Sequence, residues 1–242
     1  MYILFVVMNF NIEKLGIMML SSILKKSGHT VDVVEMKWNK IKNKLKYHNN
    51  YSTVLCYSLH SIVDSYYYIK INYKIKKENP KMLSLFGGPY TTSFPEEIIN
   101  YDGVDGICIG EGDYALLDLV NNLKEKKTIT NIPNWWIKQD GQIFRNPCRP
   151  LIDNLDKLPF ADRTLFKVSF PVRSISTSRG CIFKCSFCTE RGRFRRRSVD
   201  NVIAELRELK ANYNAKFIYF ADSTFNISLP WLKIFLRDIP KR

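Results

Sequence analysis

Residues 2–36 read YILFVVMNFNIEKLGIMMLSSILKKSGHTVDVVEM, and the fold turns on how they are divided. YILFVV (2–7) is a short unbroken apolar run, the mark of a strand buried on both faces. KLGIMMLSSILKKSG (14–28) then reads as a helix closed by Gly28. TVDVVEM (30–36) returns to the β-branched content of a strand. Strand, helix and strand joined at this spacing predict one parallel crossover unit.

The same rhythm continues outward. TVLCYS (53–58) is a third strand, followed by a Tyr-rich helix from about Ser61 to Lys77. MLSLF (82–86) runs straight into Gly87 and Gly88, and VDGICIG (104–110) leads into the helix EGDYALLDLVNNL. Residues 1–128 therefore predict an α/β domain with a doubly wound, Rossmann-like parallel sheet. In such sheets ligands bind beyond the carboxyl ends of the strands. The turns after VVMNFN, LCYS, LFGG and CIGEGD should border one crevice, with the Gly-Gly pair permitting close backbone approach.

The character changes at 129–172, expected to be a hairpin and linker. NWWIKQDGQIFRN pairs two runs across Asp140-Gly141, a strong hairpin signal whose tryptophans should anchor packing. NPCRPLIDNLDKLPFADRTLF carries three prolines and little periodicity. Residues 173–242 resume with the strand VRSISTS, and Ser198 caps a helix whose Val202, Leu206 and Leu209 form an apolar stripe. The strand AKFIYFAD and the helix LPWLKIFLRDI, with Pro230 near its start, complete a strand-helix-strand-helix order, the first part of a barrel or open parallel sheet.

At 242 residues, 45% hydrophobic and 25% charged, the composition is that of a folded globular chain. No apolar run approaches the roughly 20 residues of a membrane span, and the start lacks a basic leader and cleavage site, so the sequence reads as cytoplasmic. Cys56 and Cys108 lie in strand-like runs and read as small core hydrophobes. Thirty-seven Lys and Arg against 23 Asp and Glu give +14, which invites an acidic partner. The lysines sit in runs such as KIKNKLK and KIKKENPK, which read as solvated faces without interleaved aromatics, so nucleic acid is not the favoured partner.

The chemistry concentrates in SRGCIFKCSFCTE (178–190), where Cys181, Cys185 and Cys188 fall within eight residues. A closed zinc site wants four ligands, yet His29, His48 and His60 all lie more than 100 residues upstream, and Cys148 would have to be recruited from the linker. An iron-sulfur electron carrier also wants four thiolates. Three thiolates around a [4Fe-4S] cluster would leave one iron open to a small molecule.

This spacing, its place after a strand and the aromatic Phe187 before the last cysteine resemble the radical S-adenosylmethionine family. RFRRRSVDNVIAELREL and FIYFADSTFN are similar to the following parts of that family. The resemblance implies that Cys181, Cys185 and Cys188 hold the cluster. Its open iron would chelate the amino and carboxylate groups of S-adenosylmethionine, whose reductive cleavage yields a 5'-deoxyadenosyl radical. Phe187 and Asp222 would help place the nucleoside and amino group. Asp222 could equally be a turn or cap residue, and Ser223 stands where relatives often carry a second acid. The run RGRFRRR places five arginines between 191 and 197 just before a helix amino terminus, where cations oppose the dipole. It could offset cluster charge, hold a carboxylate or phosphate, or be a solvated arm, and it is the chain's best candidate for nucleic acid, a minority reading because it stands isolated.

KLGIMMLSSILKKSGHTVDVVE, LFGGPYTTSFPEEII and DGICIGEGDYALLDLV further resemble the cobalamin (B12)-binding domain that precedes the radical barrel in one branch of the family. By that likeness Ser58, Gly87 and Gly88 line the cofactor's nucleotide tail. The D-x-H-x-x-G motif that supplies an axial histidine in some cobalamin proteins is absent, and the matching turn is NIEKLG, with Asn11 and Glu13. The family's barrel has about six strand-helix units, whereas the residues after the linker suffice for about two, which suggests a fragment or truncated frame.

The resulting expectation is an anaerobic radical S-adenosylmethionine enzyme performing cobalamin-associated methyl transfer or radical rearrangement. Its partners would be an electron donor such as flavodoxin or ferredoxin and a small-molecule substrate. The rival from another class is a non-catalytic zinc- or cobalamin-binding module or a basic RNA-binding protein.

Overall fold

The structure is a computed structural model that describes residues 1–47, 52–168, 171–190 and 192–239. His48 and Arg191 lie outside the described residues. In chain order the elements begin β1 (Tyr2–Val7), α1 (Leu15–Lys26), β2 (Thr30–Glu35), α2 (Trp38–Tyr47), β3 (Thr53–Ser58), α3 (Ile62–Glu78) and β4 (Leu83–Gly87). They continue with α4 (Pro89–Ser93), α5 (Pro95–Asn100), β5 (Gly106–Cys108), α6 (Asp113–Lys124), β6 (Trp135–Gln139) and β7 (Gln142–Arg145). After a 3-10 turn at Leu155–Lys157 come β8 (Val172–Ile175), β9 (Ser178–Arg179), β10 (Arg195–Arg196), α7 (Val199–Tyr213), β11 (Phe217–Phe220) and α8 (Leu229–Asp238). The chain forms two compact units, one of Met1–Phe10 with Leu20–Leu151 and one of Asn11–Met19 with Ile152–Arg242.

The first unit is built on a seven-stranded sheet in the order β2-β1-β3-β4-β5-β6-β7. Its first five strands are parallel, and the order 2-1-3-4-5 is that of a doubly wound α/β fold. All six residues of β1 are buried, as an apolar run inside a parallel sheet requires. Its Tyr2 stands opposite Thr30 on one side and Thr53 on the other. Leu4, Leu55, Tyr57, Phe86 and Ile107 pack into the core, where each fully buried side chain contributes on the order of 1.5–3 kcal/mol. Cys56 and Cys108 are buried in this sheet, and burial pushes the Cys108 thiol up to about 12, so both are inert core residues.

The hairpin forms across Asp140 and Gly141, both at positive φ. β6 pairs antiparallel with β5 and extends the sheet, because Trp135 is buried and its indole N–H donates to the Ala115 carbonyl at 2.8 Å. Local pattern reveals a hairpin but not the strand it joins. The lysine runs lie on solvated faces, as expected. Lys74 lies 4.2 Å from the centre of the Trp38 ring and Lys77 4.6 Å from that of Tyr73, so several ammonium groups cover aromatic faces.

In the second unit β8 and β11 pair in parallel with α7 as the crossover, while β9 and β10 make a short antiparallel ladder. Ser198 caps α7 by accepting from the Asn201 N–H at 3.1 Å, and Asn214 ends it in the left-handed region at φ 48°. Val202, Leu206 and Leu209 bury the predicted stripe against Ile175 and Phe235. No helix among the described residues is long and apolar enough to cross a membrane.

Candidate functional site

The carboxyl ends of β3 and β4 are drawn together by backbone hydrogen bonds. Leu59 N–H donates to Gly87 O at 2.8 Å, and Tyr90 N–H donates to Leu59 O at 3.1 Å. A Cβ on Gly88 would stand 2.6 Å from Leu59 O, and its φ of 99° is one that side chains rarely adopt. Gly88 is thus required for the contact that brings Ser58 beside it, the Ser58 oxygen lying 3.0 Å from where that Cβ would be. Ser58 Oγ is 3.3 Å from His60 Nε2, and Gly110 N–H donates to Thr92 Oγ1 at 3.0 Å. Ser58, Gly87 and Gly88 thus meet at the carboxyl ends of β3 and β4, the side of such a sheet where ligands bind.

Glu13, in the turn NIEKLG, belongs to the second unit. Its carboxylate pairs with Arg163 at 2.9 Å and Arg173 at 3.8 Å, and Oε2 accepts from the Ser174 N–H at 2.7 Å. Arg163 also binds Glu205 at 2.9 Å, and Glu205 binds Arg197 at 2.6 Å. With side chains of Glu13, Arg163 and Glu205 only 2–6% exposed, this is a buried ionic chain. Sequence reading missed it. Its one visible signal was Glu205 within the buried stripe of α7, since a charge in such a stripe needs a partner.

The cysteine loop starts at Gly180, where a Cβ would meet Arg193 O at 2.6 Å, so only glycine fits the entry before Cys181. Cys188 N–H donates to Cys185 O at 3.1 Å, closing a turn. Cys181 and Cys188 are half-buried and Cys185 is exposed, so all three thiols are free on one loop. Among the described residues no three His, Cys, Asp or Glu side chains are gathered as ligands of a metal ion. As a donor set, three free thiols within eight residues suit an iron-sulfur cluster. Phe187 is 89% exposed.

Asp222 follows β11 and reaches the start of this loop. Its Oδ1 accepts from Thr177 N–H at 2.9 Å, Thr177 Oγ1 at 3.1 Å and Ser178 Oγ at 2.5 Å. Its Oδ2 is buried without a hydrogen-bond partner. Asp222 is therefore both a turn residue, through one oxygen, and an open acceptor, through the other. Two residues on, Thr224 Oγ1 lies 3.6 Å from Cys181 Sγ.

Three of the arginines are not a solvated arm. Arg195 is buried and donates to Ile152 O at 2.8 Å, and Arg197 donates to Ser176 O, Asn201 and Glu205. Arg196 lies over the Trp231 ring at 4.6 Å, and its Nη2 donates to Phe225 O at 2.6 Å. Burial lowers its pKa, opposed by the nearby Asp222 charge. Arg193 remains exposed and pairs with Asp153.

Comparison with known proteins adds to this geometry. Residues 2–120 match the B12 binding domain family. The chain is 32% identical over 179 residues to an uncharacterized methyltransferase of Pyrococcus horikoshii, covering 69% of this chain and 38% of that protein. It is 25% identical over 213 residues to hopanoid C-3 methylase of Methylococcus capsulatus, covering 82% and 41%. The radical S-adenosylmethionine methyltransferase TsrM of Kitasatospora setae, solved with tryptophan and a SAM analog, superposes with a TM-score of 0.77 at 20% identity over 98% of this chain and 50% of that one. OxsB, solved with aqua-cobalamin and S-adenosylmethionine, gives 0.71 at 23% over 95% and 34%. The chain thus spans half or less of the length of these relatives.

Proposed function

We propose that the chain, whose residues 2–120 match the B12 binding domain family, is part of a radical S-adenosylmethionine enzyme with an amino-terminal cobalamin-binding domain and serves cobalamin-associated methyl transfer to a small molecule. One observation carries the reading. A strand-end floor of the B12-binding kind and a loop of three free thiols at the end of a parallel strand occur in the same chain.

In this reading Cys181, Cys185 and Cys188 hold a [4Fe-4S] cluster. Three thiolates would leave one iron of the bound cluster for the amino and carboxylate groups of S-adenosylmethionine. When bound, the cluster supplies the electron that cleaves the sulfonium bond, and cobalamin supplies the methyl carrier. Asp222 Oδ2 accepts a hydrogen bond from the methionyl amino group while Oδ1 stays locked to Thr177 and Ser178, and Phe187 covers the nucleoside. Ser58, Gly87 and Gly88 bind the nucleotide tail of cobalamin. Glu13 takes no part in cobalt ligation, because its carboxylate is held by Arg163, Arg173 and Ser174. Methyl transfer is favoured over radical rearrangement because the relatives named above include methyltransferases. The reading also implies an electron donor such as flavodoxin or ferredoxin in a cytoplasmic, anaerobic setting.

Anaerobic reconstitution with iron and sulfide should give about four irons per chain and an electron-resonance signal that S-adenosylmethionine perturbs. Cys181→Ala should lose both. A colourless protein with stoichiometric zinc would end the proposal, and salt-dependent RNA binding that survives Cys181→Ala would favour the non-catalytic reading.

A further inference from the structure

We infer that the outward face of α2 and α3 is a docking surface for an anionic lipid membrane. The inference goes beyond the methyl-transfer reading and needs neither of its cofactors.

α3 packs into the core of its unit through Tyr68, Asn72 and Ile75, all buried. The opposite side of such a helix ordinarily carries polar residues. Here Ile62, Val63, Tyr66, Tyr67 and Tyr73 are 46–65% exposed. The first four of them open the helix, where the Tyr66 and Tyr67 rings meet edge to face with centroids 5.4 Å apart. Apolar groups clustered on the outer side of a helix whose core side is already buried mark a contact with something outside the fold.

Charge complementarity selects the occupant. Between residues 32 and 81 the sequence carries ten lysines and four acids. All four acids are engaged, Asp32 with Lys44, Glu35 with Lys37 and Lys40, Glu78 with Lys42, and Asp64 with the His60 N–H. Lys70, Lys74 and Lys77 instead hold their ammonium groups over the rings of Tyr66, Trp38 and Tyr73. Trp38 belongs to α2, and Lys42 of α2 reaches Glu78 of α3 at 3.1 Å, so the two helices form one surface. Rings and ammonium groups interleaved in this way match a bilayer surface, with apolar bodies at the acyl boundary and hydroxyl and ammonium groups among the headgroup phosphates. A nucleic acid or an acidic protein would also attract the lysines. The aliphatic pair Ile62 and Val63 at the leading end of α3 favours a lipid phase over either.

Flotation of the purified chain with lipid vesicles tests this. Vesicles of phosphatidylcholine and phosphatidylglycerol in equal parts should carry the chain, and vesicles of phosphatidylcholine alone should bind it about tenfold more weakly or less. Tyr66→Ser combined with Tyr67→Ser, both exposed, should weaken binding to the mixed vesicles about tenfold. Lys70→Gln combined with Lys74→Gln and Lys77→Gln should weaken it about tenfold or more and flatten its dependence on salt. The chain carries +14 overall, so a control must remove charge elsewhere. Lys124→Gln with Lys126→Gln and Lys127→Gln removes as much at the end of α6 and should change binding by less than about twofold. Equal losses in the two lysine triples would assign the binding to general charge and overturn the inference. Failure to bind the mixed vesicles, or indifference to the tyrosine pair, overturns it as well. So does tighter binding to single-stranded RNA than to the vesicles with the tyrosine pair dispensable for both, which would assign the surface to nucleic acid. Should the lysine triple at α3 fail to fold, the tyrosine pair alone still decides. Iron and cobalamin play no part in any of these outcomes, so the methyl-transfer reading stands or falls separately.

Discussion

β1 buries all six of its residues, whereas β11, also a parallel strand, leaves Phe217 and Tyr219 64% and 63% exposed. The first strand sits between two neighbours in a seven-stranded sheet, and the second has one partner in a two-stranded sheet. An isolated strand pair is at best marginal. The second unit draws its order from other sources, the packing of α7 and α8 around Ile175 and Phe235 and the buried ionic chain from Glu13 to Arg197. Continuous apolar burial makes a rigid floor for a ligand. Polar locking places charged groups at defined points.

If that contrast is right, the heaviest loss should come from cutting the ionic chain. Arg163→Met removes the link between Glu13 and Glu205 and should cost about 3–5 kcal/mol. Hydrogen exchange should show the loss in α7 while β1 amides stay protected, and equal acceleration in both would break the comparison. Gly88→Ala tests the floor. A side chain at φ 99° facing a carbonyl at 2.6 Å should cost about 2–3 kcal/mol in urea unfolding and should weaken hydroxocobalamin retention more than cluster assembly. The smallest effect concerns pH. His29 is buried, with Nε2 2.9 Å from Asn121 Oδ1, and burial lowers its pKa, so the folded chain takes up a proton at lower pH than the unfolded chain, which does so near the usual value of about 6.5. The unfolded state then binds more protons below that value, so stability should fall as pH drops from about 7 toward 5. Urea midpoints across that range should show a shallower decline for His29→Gln, and an unchanged slope would exclude the residue as a source.

Much of the floor was legible because its signals are local. YILFVV, TVLCYS and MLSLF lie within a residue or so of the observed strands, and Ser61 and Ser198 cap α3 and α7. The cysteine spacing was equally plain, since three thiols in eight residues have few uses. What stayed hidden depends on pairing across distance. The partner of β6, the duties of Arg195, Arg196 and Arg197, and the Glu13 contacts join residues up to 161 positions apart, and no periodicity encodes such a choice.

The sequence by itself determined the alternation of strands and helices, the two-glycine strand end and the loop of three thiols, because each follows from side-chain period, backbone freedom or thiol spacing. Only the tertiary structure decided which charges are spent and which are kept open. A carboxylate or guanidinium has several hydrogen-bonding positions, and folding alone fills Oδ1 of Asp222 while leaving Oδ2 empty, or ties Glu13 to Arg163 and so withholds it from a metal.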